Sequence, residues 1–272
     1  MCGIAALFSK SPDMSDALGS HMAEMLLALG DRGPDSAGLA IYRDRVAPGS
    51  CKVSLHSADP RQDWDGVQTA LAEAFSAGPP EVRASHAVIV VETDADEAQS
   101  WLRERYPELR VMSAGEAIEI YKEAGLPSDF VERFELATMG GTHALGHTRM
   151  ATESKVTTDG SHPFSTGLDL CLVHNGSLSN HNRLREGASL EAALEGCLDD
   201  LDGFYTFAVG TVDGFAVLRD PIACKPAVMA ESEDWVAMAS EYRAIAGLPG
   251  ADDARMWEPE PGRVYSWERQ PA

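Results

Sequence analysis

The chain has 272 residues, of which 44% are hydrophobic and 24% are charged, a composition typical of globular proteins. Acidic residues outnumber basic ones by 43 to 22, and the formal charge of −21 repels phosphate backbones and anionic lipid headgroups. We therefore expect neither a nucleic-acid partner nor a membrane partner. The absence of a basic, apolar leader and of a long apolar run predicts a cytoplasmic protein.

The five cysteines are far apart in sequence, and none forms a C-x-x-C pair, so the spacing indicates neither a zinc site nor a redox pair. Cys2 differs from the others because it follows the initiator methionine. Removal of Met1 would leave a thiol and a free α-amine on one residue, which is the arrangement of an N-terminal nucleophile. With a pKa of roughly 7.7–8.0, the α-amine suits a general base. Most cysteines at position two are incidental, so this hypothesis requires an oxyanion hole and a substrate-binding group.

The first part of the chain alternates apolar segments with polar turns. A buried strand is predicted at 3–8, an amphipathic helix at 14–29, a turn at 30–38 and a strand at 39–42. Residues 43–139 are predicted to form a small α/β insertion, with strands at 53–56, 86–92 and 109–113 and helices at 64–75, 94–106 and 115–125. No chemical motif occurs in the insertion.

Strands dominate the remainder of the chain. They are predicted around 144–152 and at 168–173, 203–211, 214–219, 228–230, 235–239 and 264–266. Ser240 and Glu241 are predicted to cap a short helix. Strands therefore lie at both ends of the chain, with helices between them.

Three groups are candidates to serve the terminal thiol. The carboxamide of Asn175 and the backbone N–H of Gly176 could bind an oxyanion, although Asn-Gly is more often an ordinary turn. The guanidinium of Arg149 could bind an α-carboxylate, although a surface salt bridge is the commoner role of such an arginine. The loop that carries Arg32 and Asp35 either lies near the chain terminus or is simply a stable turn.

In this order, the segments resemble the class II glutamine amidotransferase domain. The segments that carry the resemblance are Cys2-Gly3-Ile4, Arg32-Gly33-Pro34-Asp35-Ser36-Ala37-Gly38, Gly146-His147-Thr148-Arg149-Met150-Ala151-Thr152, His174-Asn175-Gly176, Arg219-Asp220-Pro221, Lys225-Pro226, Ala239-Ser240-Glu241 and Glu260-Pro261-Gly262. Each segment is a weak signal, but their shared order argues against coincidence. The resemblance implies an α+β fold, the four-layer αββα sandwich of N-terminal-nucleophile hydrolases, formed by residues 2–42 and 140–272 with the insertion 43–139 within it.

The resemblance also implies a mechanism. Cys2 would attack the side-chain amide of L-glutamine, and Asn175 and Gly176 would bind the oxyanion. Ammonia would leave, and water would hydrolyse the γ-glutamyl thioester to glutamate, with no need for a metal or a cofactor. The other residues implied are Arg149, which would bind the substrate carboxylate, its neighbours Thr152 and His162, and Arg32, which would position the chain terminus.

One departure from the family concerns the α-ammonium group of glutamine. In the family, an aspartate in an acidic segment after the Asn-Gly motif binds this group, but residues 182–191 contain no such segment. The nearby Asp199, Asp200 and Asp202 better match the residues before the family's next strand. Either the protein lacks the segment, which would weaken glutamine binding, or the segment is missing only from the printed sequence.

Family members that make asparagine, glucosamine phosphate or phosphoribosylamine carry a synthase domain on the same chain, and none is recognised here. Residues 150–154 and the insertion resemble the small amidotransferase subunit of glutamate-synthase-like systems, including N-methylglutamate synthase, whose partner subunits carry flavin and iron–sulfur centres. The resemblance therefore implies a synthase partner that accepts ammonia. Two alternatives stay open: a non-catalytic or regulatory subunit with impaired glutamine binding, and an amidase that acts on another amide.

Overall fold

The computed structural model describes residues 2–151, 156–178, 194–198 and 201–269. The strands are β1 (Gly3–Ser9), β2 (Ser36–Tyr42), β3 (Cys51–His56), β4 (Glu81–Arg83), β5 (His86–Val91), β6 (Arg110–Gly115), β7 (Ile118–Ala124), β8 (His143–Arg149), β9 (Phe164–Gly167), β10 (Leu170–Leu178), β11 (Gly203–Gly210), β12 (Gly214–Arg219), β13 (Val228–Glu231), β14 (Trp235–Ala239), β15 (Arg255–Trp257) and β16 (Val264–Glu268). The α-helices are α1 (Pro12–Asp16), α2 (Leu18–Ala28), α3 (Trp64–Phe75), α4 (Ala95–Arg105) and α5 (Pro127–Arg133), and residues 194–198 are also helical.

Strand β1 lies at the centre of a seven-stranded antiparallel sheet with the order β15-β13-β14-β1-β8-β2-β7. Every residue of β1 is buried. Because side chains alternate between the faces of a strand, Ala5 and Leu7 contact a layer of helices, whereas Ile4, Ala6 and Phe8 face a second sheet. Burial on both faces explains why the sequence of this strand is continuously apolar.

The second sheet has five strands in the order β16-β12-β11-β10-β9. Its inner face packs on the first sheet through side chains that include Cys171, Val173, Phe215 and Val217. Its outer face is covered by the helical segment 194–198, while α2 and α5 cover the outer face of the seven-stranded sheet. The layers are therefore helix, sheet, sheet, helix, and the predicted α+β, four-layer αββα sandwich is confirmed.

A separate four-stranded sheet has the order β4-β5-β3-β6, and helices α3 and α4 pack on it through an apolar core of their own. These elements lie within the range 43–139. The same range also includes β7, an edge strand of the seven-stranded sheet, and α5, which packs on that sheet.

The helix predicted at 115–125 is wrong, because these residues form β7. Glu, Ala and Lys favour helices, but Ile118 and Ile120 occur at the period of a strand, and β7 pairs with β2 along its whole length. The helix predicted at 64–75 is confirmed, and its N-cap Asp63 accepts a hydrogen bond from the backbone of Gly66. Within the described ranges, no helix has the length and apolar character needed to cross a bilayer.

Candidate active site

Cys2 immediately precedes β1, and the pairing of that strand determines its surroundings. Gly3 pairs with Thr148 of β8, which places Cys2 beside Arg149. The thiol of Cys2 lies 3.7 Å from the carbonyl oxygen of Met150. Cys2 is half-buried, whereas the strand behind it is fully buried, so the thiol lies at the accessible end of the central strand.

Two side chains donate hydrogen bonds to the backbone carbonyl of Cys2. The Nε of Arg32 lies 3.1 Å from this oxygen, and the Nδ2 of Asn175 lies 3.0 Å from it. Arg32 belongs to the 3₁₀ turn Gly30–Arg32 that follows α2, and Asn175 belongs to β10 of the second sheet. Groups from both sheets therefore meet at the start of β1.

Ser240 follows β14, a neighbour of β1, and connects the start of β1 to Asn175. The hydroxyl oxygen of Ser240 accepts from the backbone N–H of Ile4 at 2.9 Å and from Nδ2 of Asn175 at 3.0 Å. The backbone N–H of Ser240 donates to the carbonyl of Ile4 at 2.9 Å. Asn175 is 4% exposed, and both N–H bonds of its carboxamide are engaged with Cys2 and Ser240, so its orientation is fixed relative to the nucleophile.

Gly176 follows Asn175 and has a φ of +136°, a conformation that side chains disfavour. A Cβ at this position would lie 2.0 Å from the carbonyl oxygen of Phe204, so only glycine fits. Gly176 pairs with Tyr205, whose backbone N–H and carbonyl bond instead to Asp220 on the other side of β11. In an antiparallel ladder this makes Gly176–Tyr205 a non-hydrogen-bonded pair, and the N–H of Gly176 points away from β11.

Glu241 forms an ion pair with the arginine that holds the chain terminus. Its Oε1 lies 2.5 Å from Nη1 of Arg32, and its Oε2 lies 2.5 Å from Nε of Arg243. The hydrogen bond from Arg32 and the charges of both guanidinium groups hold the pKa of Glu241 below its usual value. The short helix predicted after Ser240 and Glu241 is the 3₁₀ turn Tyr242–Ala244. Glu241 occupies its N-cap position, but the side chain of Glu241 makes no capping hydrogen bond.

Sequence reasoning therefore placed neither Ser240 nor Glu241 at the chain terminus. The available signal was their position directly after the strand 235–239, since residues that follow neighbouring antiparallel strands can lie beside the start of β1. That signal becomes usable only once β14 is known to pair with β1.

Arg149 ends β8 and is half-buried. Its Nη1 donates to the carbonyl of Gly160 at 2.7 Å. The backbone on either side of Met150 is held by Asp35, whose N–H donates to the carbonyl of Arg149 at 3.0 Å and whose carboxylate accepts from the N–H of Ala151 at 2.7 Å. The turn segment 30–38 thus fixes the strand end that carries Arg149.

His162 lies in the loop between β8 and β9 and is 8% exposed. Its Nε2 is 2.8 Å from Nδ1 of His174, and its ring centroid is 4.3 Å from that of His147. Burial holds the pKa of His162 well below its ordinary value and lowers the pKa of His147 to about 3. Both imidazoles are therefore neutral at physiological pH.

Most of the other residues considered in the sequence analysis lie outside the described part of the chain. Thr152 lies outside the described residues, as do 182–191, Asp199 and Asp200, while Asp202 is exposed immediately before β11. The described part of the site combines a thiol, a guanidinium and hydrogen-bond donors at one accessible strand end. These are the groups that acyl transfer from a substrate bearing a carboxylate requires.

Comparisons with known proteins indicate the family of the chain. No family model matches the chain. The glutamine amidotransferase-like protein GlxB of Rhizobium meliloti (strain 1021) is 49% identical over 301 aligned residues, which cover 100% of both chains. Because this chain has 272 residues, at least 29 of the aligned positions have no residue in it. An amidophosphoribosyltransferase of Synechocystis sp. is 29% identical over 153 residues, 44% of this chain and 31% of its own.

Among solved structures, the glutamine phosphoribosylpyrophosphate amidotransferase of B. subtilis, complexed with ADP and GMP, has a TM-score of 0.56 and 17% sequence identity. The match covers 98% of this chain but 47% of that one, so the chain spans about half the length of this structural relative. Similarity at this identity shows the fold alone. Together with the full-length relationship to GlxB, it shows that the chain belongs to the class II glutamine amidotransferase family.

Proposed function

We propose that the chain hydrolyses L-glutamine to L-glutamate and ammonia through a thioester on Cys2 and delivers the ammonia to a partner synthase subunit. The observation that supports this most strongly is the set of contacts at Cys2. Its carbonyl accepts from both Arg32 and Asn175, and its thiol lies beside the strand end that carries Arg149. Family membership supports glutamine as the substrate.

The proposed reaction begins after removal of Met1. The free α-amine of Cys2 accepts the thiol proton as Sγ attacks the amide carbon of glutamine, and the carbonyl electrons move onto oxygen. Collapse of this intermediate breaks the carbon–nitrogen bond, and the amide nitrogen takes the proton from the α-ammonium group and leaves as ammonia. Water then attacks the thioester, the α-amine accepts a proton from it, and glutamate leaves as the thiol is regenerated.

Asn175 and Gly176 are the proposed oxyanion donors. The Asn175 N–H that bonds to the Cys2 carbonyl points at the residue whose thiol attacks, so an oxyanion beside Sγ can share it. The backbone N–H of Gly176, directed away from β11, is the second donor. Such a donor contributes roughly 2.7–4 kcal/mol to transition-state stabilisation.

Arg149 is proposed to bind the α-carboxylate of glutamine, because a guanidinium recognises a carboxylate through two parallel hydrogen bonds. The neutral His162 belongs to the adjoining loop, and Thr152 is proposed to lie near the same carboxylate. Arg32 is proposed to fix the chain terminus through its hydrogen bond to Cys2. None of these steps draws on a metal or a cofactor held by this chain.

The proposal is tested with the purified protein and glutamine. Wild type should release equal amounts of glutamate and ammonia, and Cys2→Ala should release neither. Cys224→Ala is the matched control, since this cysteine is exposed and far from the site in sequence, and it should retain full activity. Candidate synthase subunits are then added with glutamine whose amide nitrogen is isotopically labelled, and the label should appear in the product of the partner. Retained activity in Cys2→Ala would contradict the thioester mechanism.

A second candidate, a non-catalytic or regulatory subunit, is favoured by the lack of an acidic segment in 182–191. An assay that compares glutamine with its analogue that lacks the α-amino group distinguishes a glutaminase from a regulatory subunit. If this chain is a glutaminase without that aspartate, both compounds should be hydrolysed with similar kcat/KM. A regulatory subunit would hydrolyse neither, alone or with its partner.

A further inference from the structure

Lys122 is a buried lysine that the proposed mechanism does not use. It lies on β7, and its side chain is almost fully enclosed at 4% exposure. Its ammonium group donates to the backbone carbonyls of Ser161 at 2.9 Å, Pro163 at 3.2 Å and Asp159 at 3.3 Å. An ammonium group has three N–H donors and no acceptor, so three carbonyls of one loop satisfy it completely.

The seven-stranded sheet provides a place for this loop to lie. Gly38 of β2 pairs with Lys122 on one side and with His147 of β8 on the other. A Cβ at Gly38 would lie 2.1 Å from the carbonyl oxygen of His162, so the missing side chain lets the loop rest directly on the sheet. The ammonium group of Lys122 therefore holds the loop on one side of Gly38. On the other side of Gly38, the ring of His147 packs against His162.

The same loop holds the guanidinium of Arg149. The carbonyl of Gly160, which accepts from Nη1 of Arg149 at 2.7 Å, lies between two of the carbonyls that Lys122 binds. Within the loop, the hydroxyl of Thr157 accepts from the N–H of Gly160 at 3.1 Å. Displacement of the loop would therefore move the acceptor that orients Arg149.

We propose that Lys122 is a positioning residue that fixes the loop 157–163 on the sheet and thereby orients Arg149 to bind the α-carboxylate of the substrate. This inference rests on the proposed function, because it concerns the same site. It predicts that loss of Lys122 weakens substrate binding through the carboxylate and leaves the chemistry at Cys2 largely intact.

The charge of Lys122 gives the proposal a pH signature. Burial lowers its pKa from 10.5 to about 8, partly offset by the carboxylate of Asp159. The titratable groups around it are Asp159 and His162 of the loop, His56 of β3 and His86 of β5, and His147 of β8 packs against His162. Burial lowers the pKa values of these four histidines, so all four are already neutral at pH 7 and none of them titrates together with Lys122. Above about pH 8, Lys122 loses its proton and one donor, and KM should rise.

The test compares Lys122→Met with Lys52→Met. Lys52 is also buried, at 8% exposure, but its ammonium group pairs with the carboxylate of Glu119 at 3.0 Å and does not contact the loop. We expect Lys122→Met to raise KM for glutamine ~10-fold, the effect of loosening a charge-assisted hydrogen bond, with kcat within about threefold of wild type. Lys52→Met should leave KM unchanged, and only wild type and Lys52→Met should show the rise in KM above pH 8.

Two further measurements keep the proposal separate from the proposed function and from a failure to fold. Binding of glutamine to Cys2→Ala, which needs no turnover, should weaken ~10-fold when Lys122→Met is added. Gly38→Ala keeps the ammonium group of Lys122 but would place a methyl group 2.1 Å from the carbonyl oxygen of His162 and 2.7 Å from Cβ of Lys122, and it should raise KM in the same way. An unchanged binding constant, no measurable binding to Cys2→Ala, or an equal effect on an analogue that lacks the carboxylate would overturn the positioning role. Absence of turnover alone would count only against the glutaminase proposal.

Discussion

The two ends of the proposed site are held in different ways. At the nucleophile end, Arg32 and Asn175 bond directly to the backbone of Cys2, the first residue before a fully buried strand. At the carboxylate end, Arg149 bonds to Gly160, and the loop that contains Gly160 is itself held by other groups. The proposed nucleophile end carries out the bond-making step, so substitutions there should change mainly kcat. The proposed carboxylate end binds the substrate, so substitutions there should change mainly KM.

The strongest test of the nucleophile end is Asn175→Ala. Loss of one oxyanion donor should lower kcat by about 10²- to 10³-fold and leave KM nearly unchanged, because the donor acts mainly in the transition state. Steady-state kinetics with glutamine measure both constants. A decrease in kcat of less than about tenfold, or an effect confined to KM, would remove Asn175 from the oxyanion site.

At the carboxylate end, Arg149→Lys should raise KM by about 10- to 100-fold with little change in kcat. Lysine keeps the charge but loses the planar, two-donor geometry that matches a carboxylate. Arg45→Lys is the control, since Arg45 is an exposed arginine that pairs with Asp213. If Arg149→Lys changed kcat instead of KM, the division of the site into two ends would be wrong.

Ser240→Ala tests whether the bridge between Ile4 and Asn175 serves catalysis as well as stability. We expect a loss of about 1 kcal/mol in the free energy of unfolding and a decrease in kcat of about fivefold. Ser9→Ala provides the comparison. Ser9 lies at the far end of β1 from Ile4, and its hydroxyl forms hydrogen bonds with Ser11 and Ser15. Both variants should lose similar stability in denaturant titrations, and only Ser240→Ala should lose activity.

The smallest effect is expected for Glu241→Gln, because this ion pair is partly exposed and screened by solvent. We expect a decrease in kcat of about twofold. Glu231→Gln is closely matched, since the side chains of Glu241 and Glu231 are 30% and 31% exposed and Glu231 pairs with Lys10 instead. Because the pKa of Glu241 is lowered, its carboxylate stays charged through the usual glutamate range, so wild type and Glu241→Gln should have pH profiles of the same shape above about pH 5. A divergence nearer neutral pH would contradict this.

Much of the fold could be predicted from local patterns. The run 3–8 is apolar at every position because β1 is buried on both faces, and the helix at 64–75 has its cap and its apolar face within one segment. The helix predicted at 115–125 failed for the opposite reason. Those residues favour a helix locally, and only pairing with β2, distant in sequence, makes them a strand.

Only the residues of the candidate site that belong to sequence motifs could be predicted. The segments with Cys2, Arg149 and Asn175 were identified by their resemblance to a family, whereas the contacts between them depend on tertiary structure. The bond between Ile4 and Ser240 joins residues 236 positions apart, and nothing in the local sequence indicates it. Lys122 was missed for the same reason, since the role proposed for it depends on the register of β7 against β2.

The whole proposed mechanism depends on Cys2 acting as an N-terminal nucleophile. Mass spectrometry of the intact protein, quenched in acid during turnover of glutamine, tests it most directly. We expect a chain without Met1 that carries one γ-glutamyl group, located on the N-terminal peptide and absent from Cys2→Ala. Retention of Met1 in the active protein, or a γ-glutamyl group on another residue, would contradict it.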